Sequence, residues 1–434
     1  MLNGAREQRP VADRLAGLDK LAAHRRLLLL QGPNGPFFAR LADRLRSLGC
    51  EVIKVNFNGG DSFFYRHGRI LFYRDSMSAW REALTALLAE ERIDAIVLFG
   101  QWRRHHRIAI EAARDRELPF YVFEEGYVRP WWVTLEAGEV NAGSSLRHLD
   151  LSTLGEQPPP DRPETFRFAF LKMALWSFLY FAAGFMTGRR YPLYRHHRPF
   201  ALGEAACWLR AFLRKPYYWL LERGERNRLL DHYGGDYFLV PLQVSNDSQL
   251  VHASQWVSNE AFISHVMESF AHHADPADML VFKHHPMERG HSNYAGDIRG
   301  RSRDLGIVDR VIYLHDGRVP SLLKRSKGVI VVNSTVGLQA LFHGVPLCVC
   351  GDAFYDKPGL TSGQSLDAFW RDPLGPDNRI FRKFYRYLLS TTQVNASFYA
   401  IGRMGLREAG RERSLEAVFD VLLMVLLLLV PRCI

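Results

Sequence analysis

A chain of 434 residues, 47% hydrophobic and 24% charged, is long enough for two ordinary domains with sizeable cores, and it reads as neither a disordered chain nor a polytopic membrane protein. The formal net charge of +10 favours an anionic partner: a nucleotide, an acidic sugar, nucleic acid or anionic lipid. The five cysteines, Cys50, Cys207, Cys348, Cys350 and Cys433, form no Cys-x-x-Cys pair and read as reduced core residues in a reducing compartment. The N-terminal stretch MLNGAREQRPVADRLAG has no apolar signal region, so nothing in it directs secretion.

The first elements repeat one scheme. Leu27–Leu30 is a short apolar strand, and a Gly/Pro turn follows over Gly32–Pro36. Phe37, Phe38, Leu41, Leu45 and Leu48 then fall at helical spacing, and Val52, Ile53 and Val55 open the next strand. A helix precedes a strand over Ala95–Phe99, and another precedes Pro119–Phe123. This alternation predicts a parallel α/β sheet, whose ligands gather at the carboxyl ends of the strands. The turn carrying Gly35, the segment Gly100-Gln101-Trp102 and the segment Glu124-Glu125-Gly126 all lie at such ends. Adjacent carboxylates repel one another. They are tolerated where a site uses them or a cation neutralises them.

Residues 151–230 read differently, as a helical insertion. A linker, GEQPPPDRPE, leads into the apolar and aromatic run Phe168–Met186, with Lys172 inside it. Its basic end holds Arg189, Arg190, Arg195, His196, His197 and Arg198. A single membrane span here would put the flanking halves on opposite sides of a bilayer. An interfacial or buried segment is therefore expected, its basic end suited to anionic headgroups. A second α/β block follows, with strands over Tyr237–Val240, Met279–Lys283, Val311–Leu314 and Gly328–Val332 and a last one in VPLCVCG. The expected architecture is α/β and GT-B-like. Two Rossmann-like domains, 25–150 and 231–375, face a cleft, with the insertion between them and helices and a tail over 376–434. In that tail Val421–Val430 is too short to span a membrane alone.

Three strand ends of the second half carry polar groups: Gln243, Asp247 and Ser248; then Lys283, His284, His285 and Pro286; then Asn333, Ser334 and Thr335, before a helix with Gly337 and Gln339. Hydroxyls and free N–H groups at that helix start make a seat for phosphate or carboxylate. Taken singly, Ser334 is an N-cap and His285 a satisfied buried histidine. Together with Lys283 they form a coherent anion site. No Asp-x-Asp metal signature and no Gly-x-x-x-x-Gly-Lys loop occurs, which disfavours a metal-dependent nucleotide-sugar enzyme or an ATPase. The prolines of the 32–36 turn lack N–H donors, so that turn is a poor phosphate cradle.

In chain order, QGPNGPFF, FEEGYVRPWWVTLE, QVSNDSQL, FKHHP and NSTVGLQALFHGVPLCVCGDAFYDKPGLT resemble the capsule polysaccharide biosynthesis and export proteins of the KpsS/LipB type. These are β-Kdo transferases that act on a lipid acceptor. The resemblance implies CMP-β-Kdo as donor, a phosphatidylglycerol-type lipid as acceptor, and no cofactor, metal or nucleic acid. It also implies a cytoplasmic protein, peripheral at the inner face of the inner membrane, beside other capsule biosynthesis and export proteins. A β-linkage made from CMP-β-Kdo retains configuration, and retention by double displacement needs a protein carboxylate to attack first. Sister KpsC-type modules have Glu-Asp-Gly where this chain has Glu124-Glu125-Gly126. That position favours Glu125 as nucleophile and Glu124 as acid/base or orienter, with the reverse left open. The substrate-binding residues on this reading are Gly35, Arg129, Gln243, Asp247, Ser248, Lys283, His285, Asn333, Ser334, Thr335 and Gln339. The competing reading pairs Glu124 with Arg129 and leaves Glu125 facing solvent. Rival functions are a CMP-sialic acid transferase, a non-catalytic capsule assembly or export factor, and a sugar-nucleotide epimerase.

Overall fold

The computed structural model describes residues 18–160, 162–166, 168–196, 202–245, 254–256 and 258–400. Six strands come from the first half: β1 (Arg26–Leu29), β2 (Glu51–Asn56), β3 (Arg69–Phe72), β4 (Ala95–Phe99), β5 (Phe120–Glu125) and β6 (Trp132–Ala137). Five come from the second: β7 (Tyr237–Pro241), β8 (Met279–Lys283), β9 (Val311–Leu314), β10 (Gly328–Val331) and β11 (Leu347–Val349). A last strand, β12 (Gln393–Asn395), lies near the end of the described chain. The sheets run β12-β6-β5-β4-β1-β2-β3 and β11-β10-β7-β8-β9. Strands β1 to β5 pair in parallel, as do β7 to β11. In each half the first strand lies between the second and the fourth, so both halves have the doubly wound order expected of Rossmann-like units.

The sequence explains these strands directly. A parallel strand covered on both faces reads as a continuous apolar run. In β1, Leu27 and Leu29 enter one core cluster, while Leu28 and the following Leu30 enter the other. The helix Phe37–Ser47 seals the first of these with Phe37, Phe38, Leu41 and Leu45. In the second half Phe238, Val240, Leu280 and Phe282 do the same beneath the helix Asn259–His273.

Three features go beyond the sequence reading. β5 runs on through Glu125, two residues past the expected end, because β6 pairs with it antiparallel. After the helix Asn378–Thr391 the chain returns to the first half, where β12 pairs antiparallel with β6. The insertion is divided between the halves: its helix Ala169–Met186 packs on the first, and its helix Leu202–Leu221 on the second. Ala169–Met186 is the one described helix long and apolar enough to cross a membrane by length and composition. Lys172, Tyr180 and Gly184 are buried on one of its faces, while Phe170, Phe178, Phe185 and Met186 are exposed. The described cysteines are free thiols; Cys50 and Cys348 are buried, whereas Cys207 and Cys350 are half-buried rather than core residues. Asp247, Ser248, His197, Arg198, Cys433 and the Val421–Val430 run lie outside the described residues.

Candidate active site

In the first half the two acids diverge. Successive strand residues point to opposite faces. Glu124 sits opposite Thr134 and Glu125 opposite Val133 in the β5–β6 ladder. Val133 and Phe123 share a core cluster with the helix Phe37–Ser47, so Glu125 is on that side and Glu124 on the other. Glu124 Oε1 accepts from the backbone N–H of Glu125 at 3.1 Å, which ties it to the strand end. Glu125 is half-buried and its Oε1 accepts from the Tyr399 hydroxyl at 3.4 Å. Burial, and then the charge of Glu125, push the Tyr399 phenol well above its usual range, so it stays a donor; Arg103 and Arg129 pull the other way. Glu125 is thus half-buried beneath the Tyr399 hydroxyl, and both arginines act on that same phenol. Arg129 Nε donates to Gly126 O at 3.3 Å within the same loop. Arg103, at the end of β4, donates to Gly32 O at 3.1 Å and so bridges the ends of β1 and β4. That gap between the first and fourth strands is the switch point of a doubly wound sheet. Gly35 has φ +139°, and its missing Cβ leaves room for the Trp176 ring of the insertion helix. Trp176 Nε1 in turn donates to Tyr399 O at 2.9 Å.

The second half carries its polar groups at the equivalent switch point, between β7 and β10. Gln243 Nε2 donates to Asn333 Oδ1 at 3.0 Å, and Asn333 N donates back to Gln243 Oε1 at 3.3 Å. The Gln243 backbone O accepts from Asn259 at 2.9 Å. Ser334 Oγ accepts from Val336 N at 3.2 Å, a local turn bond, and Ser334 O accepts from the Tyr355 hydroxyl. Thr335 precedes the helix Val336–Phe342 without a side-chain cap bond, and Gln339 is half-buried on that helix.

Lys283, His284 and His285 take different roles. Lys283 is buried and its ammonium donates to His284 O at 2.9 Å and His315 O at 3.1 Å, bracing the ends of β8 and β9. Burial lowers its pKa to about 8. His284 is fully buried with Nδ1 at 2.6 Å from the Tyr313 hydroxyl, and burial lowers its pKa to about 3, so it is neutral. His285 is half-buried, and its Nδ1 accepts from Met287 N at 3.2 Å, which places the proton of the neutral ring on Nε2 as a donor. Pairing of β7 with β8 sets Pro241 opposite Lys283, so Gln243 and His285 leave neighbouring strands together. Buried Glu288 accepts from Ser245 and Ser292 at 2.9 and 2.8 Å, holding the loop after Gln243 against the His-Pro turn.

One aromatic chain joins the two sets. Tyr127, just after Glu124-Glu125-Gly126, packs against Phe354 of the second half with ring centroids 4.3 Å apart and planes tilted by 33°, next to the Tyr355 that holds Ser334. Lys357 donates to the carbonyls of Arg147 and Leu149, and Arg147 pairs with Asp352 at 3.0 Å. Arg103, Tyr399, Glu288 and Tyr355 were not picked out from sequence. Arg103 follows a strand end already marked by Gly100-Gln101-Trp102, and Tyr355 lies inside a recognised motif. Nothing local in NASFYA marks Tyr399.

The family described as "Capsule polysaccharide biosynthesis protein" matches residues 94–399. The capsule polysaccharide export protein KpsS of Escherichia coli is 40% identical over 384 residues, 88% of this chain and 99% of that protein. The capsule polysaccharide modification protein LipB of Neisseria meningitidis serogroup B is 38% identical over 385 residues, 86% of this chain and 91% of that protein. Among solved structures, the Thermosulfurimonas dismutans KpsC beta Kdo 2,7 transferase is 14% identical, with 83% of this chain and 89% of that one covered and a TM-score of 0.41.

Proposed function

Because the chain belongs to the capsule polysaccharide biosynthesis family, we propose that it is a retaining β-Kdo glycosyltransferase. It moves Kdo from CMP-β-Kdo to a phosphatidylglycerol-type lipid and so starts the poly-Kdo linker of a capsular polysaccharide. The observation that carries this reading is the half-buried Glu125 carboxylate at a strand end, hydrogen-bonded by Tyr399 with Arg103 and Arg129 nearby. A nucleophilic carboxylate must meet the sugar from a fixed position, and the Tyr399 hydroxyl holds Glu125 in one.

In the first step Glu125 attacks the anomeric carbon of Kdo, the bond to the CMP phosphate breaks, and CMP leaves with the electron pair. In the second, an acceptor hydroxyl displaces Glu125 from the same carbon and passes its proton to the phosphate of the CMP released in the first step, so two inversions leave the β-configuration. Glu124, on the opposite face, serves as orienter of the Glu125 segment. His285 Nε2–H, the Gln243–Asn333 pair, Ser334, Thr335 and Gln339 bind the CMP phosphate and the Kdo carboxylate, joined by Asp247 and Ser248. Lys283 adds positive charge from below and reaches the anion only if it leaves its carbonyls. Gly35 and Arg129 lie on the acceptor side. The enzyme works without a divalent metal, at the cytoplasmic face of the inner membrane. The face of Ala169–Met186 bearing Phe170, Phe178 and Phe185 meets the bilayer, and Arg189, Arg190 and Arg195 meet its headgroups.

Purified protein incubated with CMP-Kdo generated in situ and a fluorescent phosphatidylglycerol analogue is expected to yield a Kdo-lipid product, undiminished by EDTA. CMP-sialic acid should be inert in its place. No product with CMP-Kdo would overturn the reading, and strict EDTA sensitivity would overturn the metal-independent form of it.

A further inference from the structure

The insertion helix Leu202–Leu221 has its polarity reversed. Cys207, Ala211, Arg214, Tyr218 and the following Glu222 recur at helical spacing and face the second half. Arg214 donates to Arg289 O at 2.7 Å, the Tyr218 ring stacks on His315 at 3.8 Å, and Glu222 accepts from His315 N and Asp316 N. Cys207 and Ala211 lie so close to Gly290 that a Cβ there has no room. At ~100° per residue, Leu209, Phe212, Leu213, Pro216 and Leu220 fall on the opposite side. They are in water: Leu209 is 61% exposed, Phe212 74%, Leu213 60% and Leu220 68%. Single exposed apolar residues are ordinary, but a stripe along about three turns of one helix marks a docking surface.

We propose that this stripe is a second membrane-docking element, inserted into the interface of an anionic lipid bilayer. Its flanks name the partner. Arg210 borders one side of the stripe and Lys215 the other, and residues 205–221 contain no acid. The Arg210 guanidinium donates to Gly290 O of the second half, whereas Lys215 is exposed, with a stem able to lie on apolar surface and a head able to reach phosphates. Tyr217 and Trp219, both exposed, lie towards the end of the helix, and such amphipathic rings suit headgroup depth. A second copy of this chain would bring like charges together, at a formal +10 each. The idea rests on the proposed function only in that a lipid acceptor makes a bilayer the relevant surface. It gives the second, donor-binding half its own foothold on the membrane, independent of Ala169–Met186.

The test is flotation of the full chain with phosphatidylglycerol/phosphatidylcholine vesicles, comparing wild type with Phe212→Asp/Leu220→Asp. Wild type should float, less so as salt rises, and the variant should bind at least roughly tenfold more weakly. Its Tm without vesicles should equal that of wild type, because the replaced side chains stand in water. Equal flotation of the two proteins would overturn the proposal. So would a Tm several degrees lower without vesicles, which would mean that the stripe is covered by the chain's own apolar run at 421–430. Conversion of a wild-type dimer to monomer with vesicle binding intact would overturn it too, in favour of self-association. No sugar donor enters the assay, so a protein that floats through this stripe yet transfers no Kdo would refute the catalytic reading alone.

Discussion

At the residue scale the two neighbouring acids make different predictions, because the β5–β6 ladder turns them to opposite faces. Glu125 has the hydroxyl of Tyr399 on it, while Glu124 holds the backbone N–H of Glu125. Glu125→Gln keeps the shape and removes the proposed nucleophile, so transfer should fall by several orders of magnitude while CMP binding is retained. Glu124→Gln still accepts the same N–H through its amide oxygen and should lose far less. Tyr399→Phe removes one hydrogen bond to a charged group, and a loss of roughly 1.5–3 kcal/mol in transition-state stabilisation is expected. Single-turnover rates on the three variants check the order. A dead Glu124→Gln beside an active Glu125→Gln would exchange the two roles, and full activity in both would remove the pair from catalysis.

At the element scale, Ala169–Met186 is held on the first half by small residues and buried hydrogen bonds rather than by apolar packing alone. Tyr180 donates to Asp61 at 3.0 Å and accepts from Asn58 at 2.7 Å and Gln31 at 2.9 Å. Its ring lies against Gly60, where an added Cβ would stand 2.6 Å from a ring carbon. Gly60→Ala must therefore displace the ring and strain all three bonds. A loss of about 1–3 kcal/mol in urea unfolding is expected, the range for overpacking a filled site. A change under a few tenths of a kcal/mol would mean that the helix moves aside without cost. This contact also shows the limit of sequence reading. Strands β1, β2, β4 and β5 and all five of the second half were legible, because parallel strands buried on both faces are unbroken Val/Ile/Leu/Phe runs. β6 and β12 were not, since each is short and mixed and gains its partner only through the fold: Val394 meets Val133 across the whole second half. The strand-end acids, Gln243, His285 and Ser334 were visible by position. Tyr399 was not, because its role depends on that same return of the chain. The reading of 151–230 as a helical insertion did not single out Leu202–Leu221 or say that its apolar side faces outward.

At the scale of the whole molecule, stability should follow pH through buried imidazoles. Burial is the leading cause in each of three histidines: it lowers the pKa of His284 to about 3, and it holds His105 and His106 well below the usual value, with Arg103 adding to the effect on both. In the unfolded chain each takes a proton near its ordinary pKa of ~6.5. Between there and the folded values the unfolded state binds more protons, so stability falls as pH drops and is level just above that window. Glu136 opposes this weakly, since burial raises its carboxyl pKa and its folded form keeps a proton the unfolded chain has lost. Lys54 and Lys283, lowered to about 8 by burial, extend the rise on the alkaline side: above their folded values the unfolded chain still holds protons that the folded one has released. The Tm should therefore drop between about pH 6.5 and 4, hold near neutrality, and rise modestly from about pH 8 towards 10. His284→Asn isolates one contributor. The variant loses the bond to Tyr313 and should be less stable at pH 7, yet it should lose less between pH 6.5 and 4 than wild type does. The slope separates titration from packing, because a packing defect lowers every point equally. Parallel Tm curves for the two proteins would mean that His284 gains its proton in the folded state as readily as in the unfolded one, and that its burial at the floor of the His-Pro turn is not what sets the acid limit.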